Sequence, residues 1–156
     1  MRGGLVLIDT NVIVAAVAEA HEHHLPSLAL FAAEPPVKLA VAAHSYAEAY
    51  TTLTRRGDHA PFRWPPAEAW AALESVAAAT RLVGLTPAQS FEAARDFAAA
   101  GHIGARIYDL LIARAAQAAG AGVLVTWNVG HFRGLVDGVE VQTPTEMSAS
   151  AKASGR

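Results

Sequence analysis

The chain has 156 residues, 53% hydrophobic and 17% charged, which excludes a disordered segment and suits one globular domain with its own core. A formal net charge of −2 supplies no general attraction for nucleic acid, so such a role needs a local basic patch or an enzyme that touches few phosphates. The absence of cysteine excludes disulfides, iron–sulfur clusters and thiolate zinc sites, and no apolar run approaches the ~18 residues of a membrane helix.

Leu5–Ile8 is a short, branched, apolar run and reads as a buried parallel strand. A helix is predicted over Asn11–Ala20, with Asp9 or Thr10 available as its cap. A second helix is predicted over Pro26–Ala33, then a proline stop, then a strand over Val37–Ala42. "SYAEAYTTLTRR" predicts a helix from Ser45 that ends at Gly57. "GDHAPFRWPP" is a loop, and "PAEAWAALESVAAA" an alanine-rich amphipathic helix that suits either the core or an exposed partner surface around Trp70, Leu73 and Val76. A short strand follows at Arg81–Leu85. "TPAQSFEAARDFAAAG" carries the cap, proline and closing glycine of a further helix, and "ARIYDLLIARAAQAAG" is the next. "GVLVTWN" reads as a buried strand and "VEVQT" as an edge strand. "SASAKASGR" is expected to be a frayed tail, so residues 1–147 form the domain and 148–156 lie outside it.

Strands alternating with helices imply an α/β fold with a central parallel sheet. In such sheets ligands bind beyond the carboxyl ends of the strands, where the strand order reverses. Asp9 occupies such a strand end.

The acidic residues stand in unusual places. Asp109 has Ala105, Arg106, Ile112 and Ala113 as its helical neighbours, so its carboxylate points toward a packed face. A buried carboxylate needs a partner. An ion pair with Arg106 or Arg114 is one reading and a metal ligand the other. Glu48 completes an S-x-x-E capping box from Ser45, yet it also follows a strand end on the same side as Asp9. Asp9 reads as a helix cap or a site residue, and Asn128 as a turn residue or a site residue. Clustered carboxylates repel unless a cation or a proton intervenes, and oxygen donors alone favour Mg²⁺ or Mn²⁺.

His21, His23 and His24 in "HEHHL" fit no zinc signature and read as a solvated loop. Arg55, Arg56, His59, Arg63 and Trp64 form a basic loop with an aromatic residue, suited to phosphate and base or simply solvated. His131 and Arg133 follow Asn128 and are candidates for phosphate contact. No D-x-D follows the first strand, since position 11 is Asn, which argues against a dehalogenase-like phosphatase. Neither a P-loop nor a nucleophile-elbow motif is present.

"LIDTNVIV", the glutamate helix "AEAYTTLTR", "YDLLIARAA" and "LVTWNVGHF" occur in order over about residues 5 to 145. Together they resemble the PIN domain, and more narrowly the VapC toxins of bacterial toxin–antitoxin pairs. The resemblance implies a three-layer α/β/α fold and a Mg²⁺- or Mn²⁺-dependent endoribonuclease. It places the acidic residues on Asp9, Glu48 and Asp109, with Asn128 where a fourth acidic residue is frequent. Thr10, Asn11 and Thr126 match supporting hydrogen-bond positions. Metal ligation is expected from Asp9 and Asp109, and RNA contact from Arg55, Arg63 and His131. A homodimer and a VapB-like antitoxin are the implied partners, and with neither a secretory signal in "MRGGLVLID" nor a membrane span the expected location is the cytoplasm. A PIN-like module that binds RNA or protein without cutting is the alternative.

Overall fold

A computed structural model describes residues 4–154 of the chain. Five parallel strands form one sheet in the order β3-β2-β1-β4-β5. They are β1 (Leu5–Ile8), β2 (Lys38–Ala42), β3 (Arg81–Val83), β4 (Ala121–Val125) and β5 (Glu140–Gln142). Parallel neighbours need crossovers, and the helices supply them. In chain order these are α1 (Thr10–Val17), α2 (His24–Leu28) with a 3₁₀ turn at Ala29–Ala32, α3 (Ala43–Thr54), α4 (Pro66–Ala79), α5 (Pro87–Ala99), α6 (Arg106–Ala118), α7 (Val129–Phe132) and α8 (Pro144–Ser154).

Alternation along β1 divides the core. Val6 and Ile8 face α1, α3 and α4, in a cluster with Val12, Leu53 and Leu73. Leu7 faces the other way, onto Ile112, Ala113 and Ala116 of α6 and onto Phe132. Helices therefore cover both faces, which is why the strands are continuous apolar runs rather than alternating ones. A smaller cluster of Ala93, Phe97 and Leu110 joins α5 to α6. The three-layer α/β/α architecture with a parallel sheet is the one expected.

The strand order reverses at β1. From β1 the chain moves outward through β2 and β3 on one side, and through β4 and β5 on the other. The crevice between the carboxyl ends of β1 and β4 is the switch point at which such sheets bind ligands.

Several boundaries differ from expectation. α1 stops at Val17, where Ala18 turns extended and its N–H returns to the Val14 carbonyl. The Pro26–Ala33 helix is split into α2 and the 3₁₀ turn. α3 begins at Ala43 with Ala42 as cap, two residues before the predicted start, so Ser45 lies inside the helix and the S-x-x-E capping box does not form. In α4, Leu73 and Val76 are core residues, whereas Trp70 is half-exposed. The residues expected as a tail from 148 continue α8 to Ser154. A capping box at Thr143 and Glu146 starts that helix: Thr143 Oγ1 accepts the Glu146 N–H (3.1 Å), and Glu146 Oε2 accepts the Thr143 N–H (2.8 Å). Gly155 and Arg156 fall outside the described residues.

Candidate active site

Asp9 is the junction between strand and helix. Its N–H donates to the Val125 carbonyl (2.9 Å), which extends the β1–β4 ladder by one residue. Its own carbonyl then accepts from Val12 and Ile13, which starts α1. The carboxylate is buried, at 5% exposure. Oδ1 accepts the Thr10 N–H (2.7 Å) and Oδ2 accepts the Thr126 hydroxyl (2.8 Å). Asp9 is thus a helix cap and a strand-end carboxylate at once; the two readings of the residue do not compete.

Thr126 is satisfied in every direction. Its oxygen accepts from Asn11 Nδ2 (3.2 Å) and from the Asn128 N–H (3.0 Å). A hydroxyl has one donor and two lone pairs, so the remaining O–H must point at Asp9. Asn11 in turn accepts the Trp127 N–H through Oδ1 (3.2 Å). Thr126 and Asn11 therefore lock the β4 exit to the start of α1 and fix the direction of the Asp9 carboxylate. Thr10 directs a buried hydroxyl oxygen that has no hydrogen-bond partner.

Glu48 projects from the second turn of α3, about one-third exposed. Its Oε1 is buried without a hydrogen-bond partner. His44 Nε2 lies 3.4 Å away, within ion-pair range, but neither atom meets hydrogen-bond geometry. Burial lowers the His44 pKa and raises that of Glu48, so both neutral forms are favoured over an ion pair, and the two are better described as neighbours lacking a bond. His44 was not singled out from the sequence; its spacing of four from Glu48 on one helix was the available signal.

Asp109 enters from the first turn of α6. Neither arginine considered from the sequence pairs with it: Arg114 bridges to Asp96 (3.1 Å), and Arg106 donates to the His131 carbonyl (3.0 Å). His131 instead approaches it, with Nδ1 3.6 Å from Oδ2. Asn128 is exposed beside this group, at the N-cap of α7, and makes no side-chain cap bond.

The electrostatics join the three carboxylates. Burial pushes Asp9 up from 3.8 to about 6, against the opposing bonds from Thr126 and Thr10, and the Asp109 charge adds to the rise. Burial, then the charges of Asp9 and Asp109, push Glu48 up from 4.5 to about 7. Asp109 is also raised by burial, with His131 and Arg106 pulling the other way. The site is short of positive charge: protons would collect there, and a divalent cation would displace them.

Among the described residues, no three His, Asp or Glu side chains are grouped closely enough to hold a metal ion together. The donor set fits an ion bound through one or two carboxylates with water completing its shell, the habit of Mg²⁺. The unpartnered Glu48 Oε1 is consistent with that fit.

The arginine loop lies elsewhere. Arg55 begins it, seven residues beyond Glu48 and so roughly 10 Å along the helix direction. Its N–H caps α3 on the Thr51 carbonyl (3.0 Å), and its side chain makes no hydrogen bond or ion pair among the described residues. Arg56 and Arg63 brace the loop, with Arg56 donating to the Arg63 and Trp64 carbonyls and Arg63 to the Gly57 carbonyl. None of the three touches the carboxylates, whereas His131 does.

The histidines expected in a solvated loop are ordered by contacts. His24 Nδ1 lies 3.0 Å from the Ala15 carbonyl at the end of α1. His23 stacks on Trp127, with centroids 3.9 Å apart and planes inclined by 13°.

Comparison with solved structures returns the same fold. VapC20 of Mycobacterium tuberculosis, a sarcin–ricin loop cleaving toxin, is 19% identical with a TM-score of 0.59, over 76% of this chain and 86% of that one. VapBC2 from Rickettsia felis, solved on a promoter DNA fragment, is 20% identical with a TM-score of 0.62, over 89% and 98%. VapBC-1 from nontypeable Haemophilus influenzae is 20% identical with a TM-score of 0.61, over 90% and 98%. A search of curated protein sequences found no match. The PIN domain family model matches residues 6–132, a span that begins in β1, ends in α7 and contains Asp9, Glu48, Asp109 and Asn128; the chain belongs to the PIN domain family.

Proposed function

We propose that the chain is a Mg²⁺- or Mn²⁺-dependent endoribonuclease, the toxin of a VapBC-type pair, acting at the crevice between β1 and β4. The observation that carries this reading is Glu48 Oε1, a buried acceptor with no partner, facing the same electrostatic field as Asp9 and Asp109. Membership of the PIN family and the fold shared with VapC toxins support it.

Asp9 and Asp109 would hold the ion, with Glu48 and Asn128 reaching it through water. When bound, such an ion lowers the pKa of a water and polarises a phosphoryl oxygen. The protein does the rest. Thr126 keeps Asp9 in one orientation. Glu48, whose pKa is raised toward neutrality, orients the attacking water and takes its proton. Attack in line with the leaving 3′ oxygen breaks the P–O3′ bond and leaves a 5′-phosphate and a 3′-hydroxyl. His131 stands beside Asp109 where it can meet a phosphate, and Arg55 and Arg63 meet the substrate further out.

The partners that follow are an RNA substrate, a VapB-like antitoxin and a second copy of the chain, in the cytoplasm. No helix among the described residues is long and apolar enough to cross a membrane. A second reading, a PIN-like module that binds RNA or protein without cutting, is favoured by one feature: Asn128 brings an amide and no charge. Incubating purified protein with RNA and Mn²⁺ and mapping fragment ends separates the two. New 5′-phosphate ends support the nuclease. Cyclic 2′,3′-phosphate ends exclude its mechanism, and intact RNA favours the binding module.

A further inference from the structure

Four rings from three separate segments form a row that starts at the candidate active site. Trp127 follows Thr126 directly, and its N–H is held by Asn11. Its indole Nε1–H donates to Ser27 Oγ (2.9 Å), a buried group on α2, so the ring cannot turn. His23 lies flat on Trp127. His21 follows, 5.7 Å from His23 between centroids and tilted from it by 40°, and Phe62 follows His21 at 6.3 Å with planes inclined by 16°. The His23 N–H donates to His21 Nδ1 (3.0 Å), which fixes that nitrogen as an acceptor. Burial, and then the neighbouring His23, hold the His21 pKa below its usual value, so it offers a neutral aromatic face at neutral pH.

The row leads from the carboxylates to the arginine loop, since Phe62 is followed by Arg63. That loop carries Arg55, Arg56, His59 and Arg63 against the single carboxylate of Asp58. Glu22, beside His23 (3.7 Å), is the only acidic group in ion-pair contact with the row among the described residues, and its side chain is 81% exposed. His21, His23, Phe62 and Trp127 are all partly exposed. Ring faces in series, with cationic donors at one end, match the two requirements of single-stranded nucleic acid: stacking for its bases and positive charge for its phosphates.

We propose that Trp127, His23, His21 and Phe62 form a base-stacking track that carries single-stranded RNA from the β1–β4 crevice to the arginine loop. The proposal rests on the nuclease reading and adds the path of the substrate beside the cleavage point. It also gives the HEHH segment a role in recognition.

The test is equilibrium binding of a short fluorescein-labelled single-stranded RNA to an Asp109→Asn background, which holds the RNA uncut. On that background, RNA with abasic positions is expected to bind about tenfold more weakly than intact RNA. The added pair His21→Ala and Phe62→Leu is expected to weaken intact RNA by a similar factor, with no further loss on abasic RNA and an unchanged salt slope. Arg55→Ala is expected to lower the salt slope by about 0.7 instead. Equal binding of intact and abasic RNA overturns the proposal, a comparison that stands whether or not the ring variants fold. It is also overturned if the ring variants bind intact RNA normally but bind a co-expressed antitoxin less well, which assigns the row to the protein partner. RNA cleavage by unmutated protein despite either result leaves the nuclease reading in place; absence of both binding and cleavage removes the two together.

Discussion

Thr126 donates its hydroxyl proton to the Asp9 carboxylate across 2.8 Å, although 117 positions separate them in the chain. That bond is one of the ties between the end of β4 and the start of α1, beside those of Asn11, and it sets the direction of the buried acid at the switch point. Thr126→Val keeps the shape, removes the donor and strands the Asn11 and Asn128 donors. A stability loss of about 1–3 kcal/mol is expected, read as a lower urea midpoint with an unchanged m-value. An unaltered midpoint would show that Asp9 is held by other means.

Asp109→Asn should abolish RNA cleavage while leaving the metal-free protein at least as stable as the parent. Asp109 has no arginine partner to strand, and its charge raises both neighbouring carboxylates. Cleavage assays and thermal melts on the same sample check both halves. Full activity in Asp109→Asn would remove the metal proposal.

The raised pKa of Glu48 makes a signed claim about pH. Between about 4.5 and about 7 the native state keeps a proton that the unfolded state releases. Its stabilising contribution is therefore complete below about 4.5 and is lost as the pH rises through about 7. Asp9 acts in the same direction between 3.8 and about 6. The partly buried histidines His21 and His44, whose pKa values are lowered, oppose this near their own titrations, so the measurement is a difference. In chelator, Glu48→Gln should gain stability over wild type as pH is raised from 5 to 8, and saturating Mg²⁺ should shrink the gain. A constant difference across that range would contradict the electrostatic coupling.

α4 separates packing from surface. Leu73 is fully buried against α1 and α3, so Leu73→Ala should cost about 2–5 kcal/mol. Trp70 is 50% exposed, on an open groove of about 660 Å³ lined with Tyr46, Tyr50 and Pro66. Trp70→Ala should change stability by about 0.5 kcal/mol or less. Denaturation of the two variants side by side distinguishes the roles.

The fold was legible because β1 and β4 are short apolar runs rich in branched residues, each followed by a polar residue, Asp9 and Thr126. LVLI and GVLV needed no partner to be read as buried strands. Asp9 was legible for the same reason, as a carboxylate between two such segments. What remained hidden depends on proximity across the chain. The orientation of Thr126 requires β1 and β4 to be neighbours, and the stacking of His23 on Trp127 requires α2 to pack beside the β4 exit. The S-x-x-E pattern at Ser45 misled because a motif cannot reveal that the helix has already begun at Ala43. The T-x-x-E pattern at Thr143 is a true capping box, and with the alanines that follow it foretells α8, where small polar residues alone suggested fraying.

Cation binding by Asp9 and Asp109 is tested most directly by calorimetric titration of Mn²⁺ into the metal-free protein at pH 7. One site per chain is expected, with protons released as the ion replaces those on the raised carboxylates, and with binding lost in Asp109→Asn while its melt is retained. No binding by the parent protein, or equal binding by Asp109→Asn, would contradict the account.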